Sequence, residues 1–130
     1  MAAETYPDDL LYHREHDWAR IDGDEAMLGI TWFAADSLGE LVHYEPPTVG
    51  SNVAKDAMYG EVESVKAVSD LISPLAGEVL DVNGVVIDAP ETVNEDPYGD
   101  GWLIRIKLSH PGETADLLDA AAYRALLAEG

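Results

Sequence analysis

Apolar and polar residues alternate over short stretches along most of the chain. Asp17 to Ile21 and Ala26 to Thr31 are two apolar-rich runs separated by Asp22-Gly23-Asp24-Glu25. Two such runs around a turn signal predict a β-hairpin. Trp32 to Leu38 lacks the alternation. Thr31 can cap that segment and Gly39 can end it, so a short helix is expected there. From Glu40 to Leu108, valines and isoleucines are punctuated by Pro46-Pro47, Gly50, Gly60, Pro74, Gly77, Asn83-Gly84 and Pro97, and strand is expected for most of this length. Many short strands with closely spaced turns predict an antiparallel β-sandwich or barrel. After Pro111-Gly112, residues Leu117, Leu118, Ala121, Ala122, Leu126 and Leu127 fall mostly at helical spacing, so a helical segment is expected over 112–128, with Asp119 or Thr114 as its cap. Residues 1–10 read as a frayed, acidic lead-in. The expected organisation is a single domain over 1–130 with its β core at 11–108.

The β region repeats itself weakly. Gly39-Glu40-Leu41-Val42-His43-Tyr44 matches Gly77-Glu78-Val79-Leu80-Asp81-Val82 at a separation of 38 residues (39 to 77). Gly60-Glu61-Val62-Glu63-Ser64-Val65-Lys66 matches Gly101-Trp102-Leu103-Ile104-Arg105-Ile106-Lys107 at 41 (60 to 101). Two copies are too few for a solenoid and imply two similar halves of one domain.

Composition narrows the function classes. The 130 residues hold 47% hydrophobic residues, which is ordinary for a globular chain and too high for disorder. There is no cysteine, so thiolate catalysis, disulfides and thiolate metal sites are all excluded. Seven Lys and Arg stand against 26 Asp and Glu, a net charge of −19. Such a charge repels phosphate, which argues against nucleic-acid and anionic-membrane binding and favours basic protein partners. Solubility or a saline habitat explains the same excess. The acidic start is unlike a basic signal or transit peptide, and no apolar run approaches the about 18 residues of a membrane span, so a cytoplasmic location is expected.

Lys66 is the first residue that points to chemistry. Only Lys55, Lys66 and Lys107 are lysines, and Lys66 lies between two strand-like runs that must reverse near Val65-Lys66. Neither residue favours a tight turn. A lysine at a hairpin tip holds its amine in water, within reach of a modifying enzyme; a solvated surface lysine is the ordinary alternative. The histidines, His13, His16, His43 and His110, form no set with metal-ligand spacing. Asn94 to Gly101 is acidic and turn-rich but lacks the register of a calcium loop. There is no phosphate loop, nucleophile elbow or zincin motif.

Glu61-Val62-Glu63-Ser64-Val65-Lys66-Ala67, followed by Ser69-Asp70-Leu71 and Ser73-Pro74-Leu75-Ala76-Gly77-Glu78-Val79, resembles the lipoyl-lysine hairpin of the glycine cleavage system H proteins. Other blocks agree in order. His16-Asp17-Trp18 resembles that family's His-Glu-Trp, and Gly29-Ile30-Thr31 with Leu38-Gly39 resembles its first helix region. Asn94, Pro97-Tyr98 and Gly101-Trp102-Leu103 resemble its late loop and strand. The resemblance spans roughly residues 11–127. It implies a sandwich of the lipoyl/biotinyl carrier type (the barrel-sandwich hybrid) and a non-catalytic carrier with lipoate held as an amide on Lys66. It further implies passage of an aminomethyl group from a glycine decarboxylase to an aminomethyltransferase, reoxidation by a dihydrolipoyl dehydrogenase, and loading by a lipoate ligase or a lipoyl/octanoyl transferase. Glu63, Ser64, Val65 and Asp70 flank the lysine and are candidates for recognition. Asp17 is a candidate for a cleft that shelters the arm.

Two positions depart from the family pattern. Asp17 stands for its usual glutamate, and Ser37 stands where histidine is frequent. Other readings of the chain are a lipoyl relay to 2-oxoacid dehydrogenases and an unmodified acidic interaction module. A biotin carrier fits less well, because Val65 and Ala67 replace the methionines of Met-Lys-Met.

Overall fold

A computed structural model describes residues 2–129; Met1, where the expected lead-in begins, and Gly130 lie outside it. The elements run β1 (Leu11–Tyr12), β2 (Asp17–Asp22), β3 (Glu25–Ile30), α1 (Trp32–Leu38), β4 (Leu41–Glu45), β5 (Asn52–Val53), β6 (Met58–Ser64), β7 (Val68–Ile72) and β8 (Gly77–Val82). Then follow α2 (Gly84–Asp88), α3 (Thr92–Glu95), β9 (Ile104–Leu108), a 3₁₀ turn (Pro111–Asp116) and α4 (Ala120–Glu129). Six strands form one antiparallel sheet in the order β1-β2-β3-β9-β8-β5, and three form another, β4-β6-β7. The mainly β sandwich with short helices and a C-terminal helix is the architecture expected from the strand-and-turn rhythm.

The expected hairpin is β2–β3, with Asp22 facing Glu25 across Gly23-Asp24. Gly23 sits at φ +64°, a backbone state that glycine enters without a Cβ penalty. Thr31 caps α1 by accepting the Ala34 amide, and Gly39 closes it at φ +84°. Between the sheets, Leu28, Leu41, Tyr44, Val62, Leu71, Val79, Leu103, Ile104 and Ile106 are buried together.

The two halves repeat in three dimensions. β4 pairs with β6 and β8 pairs with β9, and each first strand carries an irregularity at the matching place, between Leu41 and His43 and between Val79 and Asp81. The pairs Tyr44↔Val62 and Val82↔Ile104 set the second separation at 42 residues (62 to 104). The 41 read from sequence is therefore one residue short. Burial explains the slip: Val62 and Ser64 point inward, as do Ile104 and Ile106, and a one-residue shift would exchange the faces of the strand. Lys107 is consequently not the counterpart of Lys66.

Three expectations are corrected. The lead-in is not frayed. Tyr6 and Leu10 are buried with Tyr12, Trp18, Tyr98 and Tyr123 in a second core, and the Tyr98 hydroxyl donates to the Thr5 carbonyl at 2.7 Å. That core covers Trp18, which faces away from the sandwich interior and needs its own apolar lid. Residues 84–95 are two short helices rather than strand, although Val85-Val86-Ile87 favours strand locally. Asn83 caps the first of them by accepting the Val85 amide at 3.1 Å, and packing of Val86 and Val93 overrides propensity. The C-terminal helix starts at Ala120, not near 112. Asp119 is its cap, accepting the Ala122 amide at 2.8 Å, and Pro111–Asp116 winds as 3₁₀.

Gly60 of β6 lies against the last residue of β4. A Cβ there would stand 2.5 Å from the Glu45 carbonyl oxygen. Gly60→Ala should cost about 2 kcal/mol of stability, read as a lower urea midpoint with unchanged slope. An unchanged midpoint would show that the two strands separate without penalty.

Candidate functional site

The β6–β7 hairpin is anchored from below and free above. Tyr59, Val62, Ser64 and Leu71 point into the core, while Glu61, Glu63, Val68 and Asp70 lie on the outer face. Strand alternation produces this division from Glu61 onward, and the irregularity between Met58 and Gly60 brings Tyr59 to the inner face as well. At the tip, Val65 is 87% exposed and Lys66 is exposed beside it.

Ser64 explains how the chain turns at Val65-Lys66 without glycine or asparagine. The Ser64 amide donates to the Ala67 carbonyl at 2.8 Å, the ordinary backbone closure of a hairpin. On the return side, its hydroxyl oxygen accepts from the Ala67 amide at 3.1 Å and from the Lys66 amide at 3.3 Å. A side chain thus takes the place of a backbone acceptor. Neither Val65 nor Lys66 adopts positive φ, so neither needs to be glycine.

The three lysines have different surroundings. Lys55 contacts Asp56 at 3.2 Å and Asp116 at 3.5 Å. Lys107 lies in register between Glu25 and Glu78 on the six-stranded sheet. Lys66 forms no ion pair among the described residues. An exposed, unpaired primary amine on a turn with a fixed base is a fitting acceptor for an acyl group.

Glu63 and Asp70 share the outer face. Glu63 is in register with His43 and Val68; Asp70 faces Glu61, which faces Glu45. His43 contacts Glu45 at 3.2 Å, and no cation neutralises Glu61, Glu63 or Asp70 within ion-pair distance among the described residues. The outer face of this hairpin is therefore acidic, with Val42, Val65 and Val68 exposed nearby.

Asp17 occupies the opposite end of the hairpin from the tip. It opens β2, is 2% exposed, and its carboxylate accepts the amide of Ile72, the last residue of β7. Burial raises its carboxyl well above the usual carboxylate range, and the Ile72 amide opposes that rise. His16 precedes it at φ +74°, with Nδ1 2.7 Å from the Tyr123 hydroxyl and the ring against Phe33. Burial lowers the His16 pKa. The structure therefore groups Glu63, Ser64, Val65, Lys66 and Asp70 on one hairpin and sets Asp17 in the interior beneath its foot.

Two residues at the site were not singled out by sequence for this role. A Cβ on Gly39 would lie 3.5 Å from Lys66 Cε, so the lysine stem passes over the turn that ends α1. Asn94, in α3, holds that turn by three side-chain hydrogen bonds. Both border a cleft of about 440 Å³ lined also by Ala35, Asp36, Glu40, Glu91 and Glu95. The helix-ending glycine was legible in the sequence; its contact with a residue 27 positions later was not. No group of three or more His, Asp or Glu among the described residues is arranged to hold a metal. Among the described residues, no helix is long and apolar enough to cross a membrane.

Residues 10–130 match the family model described as glycine cleavage H-protein. The chain is 53% identical over 123 residues to a glycine cleavage system H protein of Rubrobacter xylanophilus, covering 95% of each. It is 49% identical over 124 residues to one from Symbiobacterium thermophilum, covering 95% of this chain and 97% of the other. The crystal structure of a glycine cleavage system H protein from Mycobacterium marinum superposes with a TM-score of 0.87 at 40% identity, over 95% of this chain and 99% of that one. The chain belongs to the glycine cleavage H-protein family, the lipoyl carriers of the glycine cleavage system.

Two outcomes follow from the hairpin's chemistry. Ser64→Ala should speed hydrogen exchange at the Lys66 and Ala67 amides about fivefold, matching about 1 kcal/mol for a lost hydrogen bond, and Ser64→Thr should restore slow exchange. Equal exchange in all three proteins would remove Ser64 from the account. In the fold, Asp17 favours its neutral form, so its contribution is full below the ordinary carboxyl pKa and is lost as pH rises through the raised folded value. The melting temperature of Asp17→Asn should therefore gain on wild type between pH 4 and pH 7. Each unit of pKa separation is worth about 1.4 kcal/mol. A constant difference across that range would contradict the assignment.

Proposed function

We propose that Lys66 is the lipoyl attachment residue of this carrier. The observation that supports the reading most is its amine, exposed at a braced hairpin tip and without an ion pair among the described residues of a chain of net charge −19. Amide formation removes the lysine charge and extends the side chain into a long arm, while the buried strands of the hairpin keep its root in place. Tethering then raises the local concentration of the arm's end at whichever partner is docked. When attached, the lipoyl dithiolane supplies the sulfur that takes up the aminomethyl group and is later reoxidised.

In this reading the carrier serves a glycine decarboxylase, an aminomethyltransferase and a dihydrolipoyl dehydrogenase in turn, and a lipoate ligase or lipoyl/octanoyl transferase loads it. The setting is cytoplasmic. The protein holds and presents; the acids and bases of the reaction belong to the partner enzymes. Glu63 and Asp70, both on the outer face of the hairpin, are the recognition groups nearest to Lys66 in sequence, and the acidic face steers basic surfaces toward it. Ser64 and Val65 contribute the shape of the tip. Asp17 acts from beneath the hairpin foot, so any effect on the arm passes through β7.

Incubation with lipoate, ATP and a lipoate ligase should place one lipoyl group on the Lys66 peptide. Lys66→Arg should stay unmodified, because a guanidinium is not an acyl-accepting amine at these pH values. Lys55→Arg and Lys107→Arg should be modified normally. Lipoylation surviving in Lys66→Arg would overturn the assignment. Raising salt should increase the apparent KM of the glycine decarboxylase for the carrier more than it lowers the maximal rate, since the Debye length is about 8 Å near 0.15 M. A salt-independent KM would limit the acidity to solubility.

A further inference from the structure

Three segments meet beside Lys66: the turn ending α1, the start of β4, and α3. Asn94 of α3 is 7% exposed, and its amide group is fully engaged. Its Oδ1 accepts the Leu41 amide at 2.9 Å. Its Nδ2 donates to the Gly39 carbonyl at 2.9 Å and to the Ala35 carbonyl at 3.4 Å. One acceptor and two donors are thus satisfied at once by the end of α1 and the first residue of β4.

The segment so held touches the attachment hairpin twice. Leu41 is in register with Ser64, the residue that closes the tip. Gly39 lies against the Lys66 stem, with Lys66 Cε 3.5 Å from where a Cβ would stand. Gly39 is at φ +84°, so a wall at this point depends on a backbone state that other residues resist. Asn94 is the side chain that fixes it.

We infer that Asn94 is a positioning residue for the Lys66 arm: by clamping Gly39 and Leu41 it keeps a backbone wall along the lysine stem and restricts the directions the amine can take. This rests on the reading of Lys66 as the attachment residue. Asn94 touches neither the amine nor any reacting group and acts only through Gly39 and Leu41. Restricting the stem lowers the ordering needed when a loading enzyme engages the amine, which is a gain of orientation rather than of contact.

The test uses the full-length unmodified protein and three variants. Asn94→Ala removes all three hydrogen bonds. Asn94→Asp keeps an acceptor for Leu41 but turns a carboxylate oxygen toward the Gly39 and Ala35 carbonyls. Val93→Ala removes buried volume from the same short helix and leaves the amide clamp intact. In wild type, NMR should show a nuclear Overhauser contact between the Lys66 ε-protons and the Gly39 α-protons. Both Asn94 variants should lose it, and Val93→Ala should keep it despite lowered stability.

With a lipoate ligase, the Asn94 variants should show a carrier KM raised about fivefold, the equivalent of one hydrogen bond, with kcat changed less. Val93→Ala should stay within about twofold. Should Asn94→Ala fail to fold, Asn94→Asp and Val93→Ala carry the comparison. Retention of the contact and of wild-type KM in a folded Asn94 variant would overturn the proposal, as would equal losses in Val93→Ala. The NMR contact is read without any modification. Lipoylation at another lysine would therefore sink the attachment reading while the contact still reports whether Asn94 holds the stem.

Discussion

One amine has to stay clear of carboxylates on a protein that carries 26 acidic residues and three lysines. That constraint organises the molecule. Lys55 is drawn into contacts with Asp56 and Asp116, and Lys107 lies in a sheet between two glutamates. Lys66 escapes because it stands on a turn, where its sequence neighbours are Val65 and Ala67 and its spatial neighbour is the backbone of Gly39. The turn in turn depends on the Ser64 hydroxyl, which lets a valine and a lysine occupy positions where hairpins usually need glycine or asparagine.

The frame beneath the turn is built twice. The β4–β6 and β8–β9 pairs share the same inward alternation and the same irregularity in their first strand. In one copy the second strand continues into the exposed hairpin with β7. In the other, the second strand β9 pairs on its far side with β3, a strand from earlier in the chain, and leads into the 3₁₀ turn. The second core, built from the lead-in and α4 around Trp18 and Tyr123, covers the outside of the larger sheet and leaves the hairpin face open. The β6–β7 hairpin therefore stands clear of this second core, with the end of α1 beside its tip.

Legibility followed the range of the interactions. The β2–β3 hairpin, α1 with its Thr31 and Gly39 caps, and the reversal at Val65-Lys66 were readable because residues a few positions apart determine them. The helices at 84–95 were not, since their valines and isoleucine favour strand and only burial of Val86 and Val93 decides otherwise. The role of Tyr6 and Leu10 was hidden by the acids around them. At the site, the hairpin group could be read from one stretch of sequence. The interior position of Asp17 and the Asn94–Gly39 wall depend on contacts between distant segments, and no local pattern announces them, whereas the Ser64 closure lies within the hairpin stretch itself.

The central claim is that this amine, and no other, carries the lipoyl group. Peptide mass mapping of the protein isolated from native cells with active glycine cleavage tests it most directly. The account predicts one lipoyl group, on the peptide containing Lys66, with Lys55 and Lys107 unmodified. A protein recovered unmodified from such cells, or modified at Lys55 or Lys107, would contradict it.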